Sequence, residues 1–139
     1  MFIDQPDLKT NIYDYQLSEI TENDTAIALQ GCAAAIEEAR GYLAAYDVAA
    51  IFGTTGAARN PLLVRMCVNI AVWHIIDLSN VDIIFAQAKE RYDRAIAWLK
   101  GVQNGTIVPD LPLLTAPDGE PITRIHIRSN RKFGHGTKY

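Results

Sequence analysis

The chain has 139 residues, of which 49% are hydrophobic and 21% charged, so it suits one domain with its own core and is too apolar to be mostly disordered. Its net charge of −3 at pH 7 argues against a dedicated nucleic-acid-binding protein. Residues 1–105 carry thirteen acidic and eight basic side chains, whereas the sequence from Ile122 onward carries five basic and no acidic ones. The chain is therefore an acidic body followed by a basic tail.

The N-terminal part of the body predicts two short helices. Asp4 can cap a helical turn that contains Pro6, because the missing N–H of proline is harmless at the start of a helix. Asp14 can cap a second short helix in the same way. The polar run at 21–24 then interrupts the chain, and Asp24 is the expected N-cap of a long helix.

Three long helices are predicted, and they begin after Asp24, Asn60 and Asn80. The second runs to about Leu78 and is apolar on nearly every side, so we expect it at the centre of the body. Its polar interruptions, among them Arg65 and Asn69, favour a buried helix of a soluble cytosolic protein over a membrane span. The expected buried stripes are Leu29, Cys32, Ile36, Ala39, Leu43 and Tyr46 in the first helix and Phe85, Ala88, Tyr92, Ala95, Leu99 and Val102 in the third, which ends near Gly105.

Small residues of the first two helices have simple structural interpretations. Gly31 and Gly41 mark expected close crossings with a neighbouring helix, since a glycine has no side chain to hold the two backbones apart. Cys32 and Cys67 are expected to be buried free thiols. The glycine-containing loop at 53–56 lacks the Lys-Ser/Thr ending of a phosphate-binding loop, and we assign it no ligand.

The sequence changes character after Gly105. Four prolines within thirteen residues exclude a continuous helix, and residues 123–128 alternate between hydrophobic and polar side chains as a strand with one wet face does. We predict a helical domain at 1–105 and a proline-rich hairpin with an extended basic arm at 106–139. A lone hairpin is marginally stable in water, so the arm is expected to bind another subunit, with a disordered tail as the alternative.

No group of residues makes a convincing catalytic site. His74 and Asp77 lie three residues apart on one helix, but two ligands do not make a metal site, and a hydrogen-bonded core or interface role is expected for His74. Glu37 and Glu38 are adjacent and point about 100° apart, which indicates a solvated face. The sequence therefore predicts a protein that is not an enzyme and has no cofactor. A metal-dependent helical enzyme that uses His74 and Asp77 is the weaker alternative.

The basic arm is the candidate interaction site. Its cations and aromatic side chains suit contact with an acidic protein surface, such as the body of a neighbouring copy, and equally with nucleic acid in a salt-sensitive, sequence-independent manner. The expected inter-subunit or partner contacts are Arg124, His126, Arg128, Arg131, Lys132, Phe133 and Tyr139.

Five short motifs follow one another along residues 2–105. They are Phe2-Ile3-Asp4-x-x-Asp7-Leu8, Glu19-Ile20-Thr21 followed by Asp24, Ile36-Glu37-Glu38-Ala39-x-Gly41-Tyr42-Leu43, Asn60-Pro61-Leu62-Leu63 with Ile70-Ala71-Val72-Trp73-His74, and Arg91-Tyr92-Asp93-x-Ala95-Ile96-x-Trp98-Leu99 with Gly105. In this order, the motifs resemble those of a family of small proteins of Mu-type phages.

The resemblance implies a structural virion protein. Proteins of this kind are head–tail connectors, also called head-completion or adaptor proteins. They are helical bundles that form a ring, typically of twelve copies, between the portal protein and the tail or its completion protein. The ring extends the channel through which genomic DNA passes, with no membrane and no cofactor involved, and it is assembled in the host cytoplasm. We further expect the isolated chain to be monomeric and to form the ring on the portal. A nucleic-acid-binding accessory protein that uses the basic arm is the alternative.

Overall fold

A computed structural model describes residues 1–76 and 82–115, with the side chains of residues 82–84 left out. This part of the chain is mainly helical, as predicted, and none of its residues forms a regular strand. The predicted Asn80 cap, hairpin and arm lie outside the described residues. The elements are a 3₁₀-helix η1 (Gln5–Thr10), α1 (Asp14–Thr21), α2 (Thr25–Tyr42), α3 (Val48–Phe52), a 3₁₀-helix η2 (Gly56–Ala58), α4 (Pro61–Ile76) and α5 (Asp82–Gln103).

Helix α4 is the centre of the body, and it contacts η1, α1, α2 and α5. The prediction from its all-round apolar surface is thus confirmed. Its start is also as predicted, because Asn60 Oδ1 accepts hydrogen bonds from the backbone N–H groups of Leu62 and Leu63, both at 3.0 Å. Within residues 1–76 and 82–115, no helix combines the length and the apolar character needed to cross a bilayer.

The other predicted helix starts are confirmed at two positions and wrong at one. Asp24 caps α2, its Oδ1 accepting from Ala26 N at 2.9 Å, and Asp4 precedes η1 as expected. Asp14, however, is the first residue of α1, and Tyr13 is the N-cap. The Tyr13 N–H donates to the Gln16 side chain, so the helix begins one residue earlier than a capping carboxylate at position 14 would allow.

The buried stripes are largely as predicted. Leu29 is an exception, because it is 40% exposed and Ala28 occupies the core in its place. Phe85 is also partly exposed, and Tyr46 is buried although α2 ends at Tyr42. The stripe residues confirmed as buried are Cys32, Ile36, Ala39 and Leu43 in the first helix and its end, and Ala88, Ala95, Leu99 and Val102 in α5.

The two glycines of α2 have different environments. A Cβ atom built on Gly31 would lie 2.5 Å from Ile75 Cγ1 and 3.3 Å from the Ala71 carbonyl oxygen, so α2 and α4 do cross closely there. A Cβ atom on Gly41 would meet no atom within 4 Å. The predicted crossing at Gly41 is therefore wrong, because that glycine faces open space.

The chain folds back over the body after α5. Within residues 106–115, Leu114 N donates to the Ala45 carbonyl at 3.1 Å, and the Pro112 carbonyl accepts from Asp47 N at 2.9 Å. These bonds flank an antiparallel bridge between Tyr46 and Leu113. The proposed division at residue 105 stays a prediction, and the first ten residues beyond it are attached to the helical body.

The two thiols are expected to be unreactive in the folded protein. Burial raises the pKa of Cys32 to about 11 and that of Cys67 to about 12, so almost no thiolate is present at neutral pH. We expect negligible labelling by a disulfide reagent at pH 8 and labelling of both cysteines in denaturant, followed by absorbance. Rapid labelling of the native protein would contradict their burial.

Candidate functional site

The residues that sequence analysis proposed for the interface lie outside the described part of the chain. Their contacts therefore stay a prediction: Arg124, His126, Arg128, Arg131, Lys132, Phe133 and Tyr139. The described residues contribute two polar networks and one cationic cleft to the surface of the body.

One network joins the three longest helices through Glu38 of α2. His74 Nε2 of α4 lies 3.1 Å from Glu38 Oε2, and the Tyr92 hydroxyl of α5 donates to Glu38 Oε1 at 2.8 Å. The predicted hydrogen-bonded role of His74 is confirmed. The solvated role predicted for Glu38 is wrong, because its side chain is only 27% exposed and bridges two helices.

This network has the character of a structural clamp. Within the described residues, no group of three or more His, Cys, Asp or Glu side chains could hold a metal ion, and Asp77 lies outside them. Burial, and to a smaller extent the hydrogen bond to Glu38, raises the pKa of Tyr92 to about 12. The phenol therefore remains a protonated donor throughout the physiological range.

Removing the Tyr92 hydroxyl tests the clamp. Y92F should lower the free energy of unfolding by about 1 kcal/mol, because one hydrogen bond to a charged acceptor is lost while the ring packing is kept. Denaturant titration followed by tryptophan fluorescence measures the effect. E38Q, which keeps the shape of Glu38, should bring the pKa of Tyr92 part of the way back toward 10 in an ultraviolet titration, and an unchanged pKa would contradict the contact.

A second network attaches the N-terminus to the loop before α4. Arg59 binds Asp7 through both carboxylate oxygens, at 2.8 and 3.1 Å, and it also donates to the Phe2 carbonyl at 2.8 Å. Both side chains are about four-fifths buried. The hydrogen bonds from Arg59 hold the pKa of the Asp7 carboxyl below its usual value. We call this contact the Arg59–Asp7 clasp.

A cationic cleft lies on the side of the body where η1, α4 and α5 meet. Arg91 Nη1 of α5 donates to the Asn11 backbone carbonyl at 3.1 Å and to Asn11 Oδ1 at 2.9 Å. The Asn11 amide in turn donates to Asn69 Oδ1 of α4 at 2.7 Å. Within the described residues, the network holds the Arg91 guanidinium by Nη1 alone, and Nε and Nη2 donate to none of them.

Arg91 separates two adjoining hollows of about 340 and 220 Å³, whose walls it shares with Thr10 and Asn11. The larger one is also lined by Lys9, Tyr13, Gln16 and Gln87, and the smaller one by Arg65, Asn69 and Arg94. We call the two together the arginine cleft. Its basic side chains and open form suit a docking surface for an acidic segment.

Tyr13 lines the arginine cleft and stacks on a second exposed tyrosine, Tyr15. The rings of Tyr13 and Tyr15 stack with centroids 5.7 Å apart, and the side chains are 70% and 66% exposed. Tyrosine and arginine are the residue types that contribute most often to protein–protein contacts. The cleft therefore has the composition of an interface.

With this geometry described, the comparison with known families identifies the chain. The profile of the family described as Bacteriophage Mu, Gp36 matches residues 2–123. The chain belongs to this family. The Gp36 match includes every helix described above and continues through residues 106–115, which fold back on the body. No curated protein and no solved structure matches the chain. The resemblance to a Mu-type phage family is thus confirmed, and the chain is a phage protein.

Proposed function

We propose that the chain is a structural virion protein that forms a ring-shaped connector between the phage portal and the tail and extends the DNA channel. The observation that carries the proposal is the Gp36 family match over residues 2–123. We further propose about twelve copies per ring, with the portal protein and a tail or tail-completion protein as neighbours and no catalytic activity or cofactor.

The body has the rigidity that such a building block needs. Helix α4 is surrounded by other elements, the Glu38 network links α2, α4 and α5, and the Arg59–Asp7 clasp attaches the N-terminus. The body also carries an excess of acidic side chains over residues 1–105, which would keep passing DNA from adhering to a channel wall. The basic arm, from Arg124 to Tyr139, would contact the neighbouring subunit or the portal.

Disrupting the gene in the phage or prophage that encodes the chain tests this role. Electron microscopy should show DNA-filled heads and complete tails that are not joined, and purified protein added to the lysate should restore whole particles. A matched lysate complemented with the intact gene is the control. Normal joined particles without the protein would overturn the proposal.

A DNA-binding measurement on the purified protein distinguishes the connector from the nucleic-acid-binding alternative. An accessory DNA-binding protein should bind duplex DNA with an affinity that falls steeply as salt rises, and deletion of residues 122–139 should abolish the binding. A connector should instead be found in assembled particles, and the isolated chain should show no such salt-dependent binding to DNA. Fluorescence anisotropy at several salt concentrations provides the measurement.

A further inference from the structure

The last turn of α1 and the turn that joins it to α2 present three carboxylates to solvent. Glu19, Glu22 and Asp24 are exposed, and none of them forms an ion pair within the described residues. We call this group the acidic corner. Glu22 and Asn23 both have positive φ angles, 54° and 61°, so the corner is a defined turn.

Glu22 occupies a position where glycine is the ordinary residue. It follows the last turn of α1 in the left-handed conformation, in which a side chain is unfavourable and glycine is common. A glutamate there costs conformational energy and contributes no ion pair to the described part of its own chain. The described part of the chain therefore gives this strained glutamate no stabilising role.

The arginine cleft offers the complementary charge. Arg65 is exposed and pairs with no described carboxylate, and Arg91 keeps the donors of Nε and Nη2 uncommitted. A guanidinium with two adjacent free donors can bind one carboxylate through both oxygens. None of Glu19, Glu22 and Asp24 lines either hollow of its own copy's cleft. Gln16 of the cleft lies near the start of α1 and Glu22 follows its end, so about 9 Å of helix axis separates these two residues.

We propose that the acidic corner of one copy docks in the arginine cleft of a second copy. This inference rests on the proposed ring and names a contact within it. The two surfaces differ, so the contact is head to tail, and each copy uses its cleft for one neighbour and its corner for the other. Contacts of this kind close into rings when the rotation between copies allows. The Tyr13–Tyr15 pair then flanks the docked carboxylates.

A protein carboxylate fits this cleft better than the backbone of a nucleic acid does. Asp14, Glu90 and Asp93 lie exposed on the elements that form the cleft, close to Lys9, Arg94 and Lys89, respectively. A continuous row of phosphates would meet these carboxylates, whereas a short acidic turn meets mainly the two uncommitted arginines. The excess of acidic residues in the body opposes nucleic acid further.

Zero-length cross-linking tests the contact directly. The R65K variant keeps the charge and introduces an amine that a carbodiimide can join to a carboxylate in contact with it. Equal amounts of ¹⁵N-labelled and unlabelled full-length R65K protein are cross-linked at high concentration and in purified particles, and the joined peptides are identified by mass spectrometry. We expect mixed-isotope cross-links from position 65 to Glu22.

Two controls separate this contact from random collisions and from misfolding. Lys100 is an exposed amine of α5 outside both hollows, so its cross-links to the acidic corner give the background. E22G in the R65K background removes the carboxylate and relieves the left-handed strain, so the fold is kept, and cross-links to the corner should fall at least about tenfold. Absence of the mixed-isotope cross-link above the Lys100 background, in solution and in particles, overturns the proposal.

Charge reversal then tests the pairing in assembly. R65E and E22K should each lower phage yield by about tenfold or more, and co-expression of the two variants should restore it, because alternating copies regain opposite charges at every contact. K100E should have no effect. Normal yield with either single variant, or failure of the mixture to recover, overturns the proposal. If R65E or E22K alone gives normally joined particles, the connector role stands, and the contact between the acidic corner and the arginine cleft is excluded.

Discussion

Replacing Arg59 with alanine should lower the free energy of unfolding by about 2–3 kcal/mol. The substitution removes both bonds to Asp7 and the bond to the Phe2 carbonyl, and it leaves a largely buried carboxylate without its partner. The estimate lies below that for a fully buried pair because both side chains retain some solvent contact. Chemical denaturation at pH 7 measures the change.

The matched variants R59K and D7N show which part of the clasp matters. R59K keeps the charge but cannot bind both carboxylate oxygens, so it should recover only part of the stability. D7N should make a subsequent R59A change much less costly, because the stranded carboxylate is then absent. Equal effects of R59A in the wild type and in D7N would show that the two side chains are not coupled.

The clasp also predicts a pH dependence. Because the folded pKa of Asp7 lies below its ordinary value of 3.8, the carboxylate contributes stability above that value, and the contribution is lost as the pH falls through the folded pKa. D7N should therefore be less stable than the wild type at neutral pH and should lose less stability between pH 4 and pH 2. A constant difference across that range would contradict the pairing.

Replacing Gly31 with alanine should destabilise the protein by about 1–3 kcal/mol, although alanine is the better helix former. The added methyl group would lie 2.5 Å from Ile75 Cγ1, so α2 and α4 must separate or Ile75 must change its rotamer. G41A is the matched control in the same helix, and it should be neutral or stabilise by up to about 1 kcal/mol because nothing lies within 4 Å. Thermal unfolding of both variants measures the difference.

The Ile75 side chain identifies the cause of the effect. In the I75A background, the obstructing Cγ1 atom is absent, and G31A should cost little or nothing relative to I75A alone. If G31A is equally costly in both backgrounds, the close crossing of α2 and α4 does not explain the requirement for glycine.

Much of the fold follows from local signals. The side-chain chemistry of Asp24 and Asn60 predicts that they cap helices, and the apolar surface of α4 predicts its central place. Such features depend on neighbours within one helical turn, and the sequence contains them directly. The error at Leu29 has a different origin. The expected buried residues of the first long helix are three or four positions apart, and this spacing does not determine which of two adjacent residues faces the core.

The polar networks could not be predicted in the same way. The hydrogen bonds of Asn11 join residues 58 and 80 positions away in the sequence, and those of Glu38 span 36 and 54 positions. One signal did exist, since Arg65 and Asn69 interrupt the apolar sequence of α4, and both line the arginine cleft. A polar side chain in an otherwise buried helix marks a face that opens toward solvent, but its partners are fixed only by the tertiary fold.

The attachment of residues 106–115 gives the arm a defined origin. Hydrogen bonds to Ala45 and Asp47 hold the chain beside the α2–α3 junction as far as Leu114, so a neighbour bound by the proposed arm would lie within about 80 Å of that point. An arm held at its base in this way would raise the local concentration of its proposed neighbour and make the contact intramolecular after the first encounter. Shifting that base, for example by shortening the segment between α5 and Leu114, would change which neighbour the arm can reach without altering any residue of the arm itself.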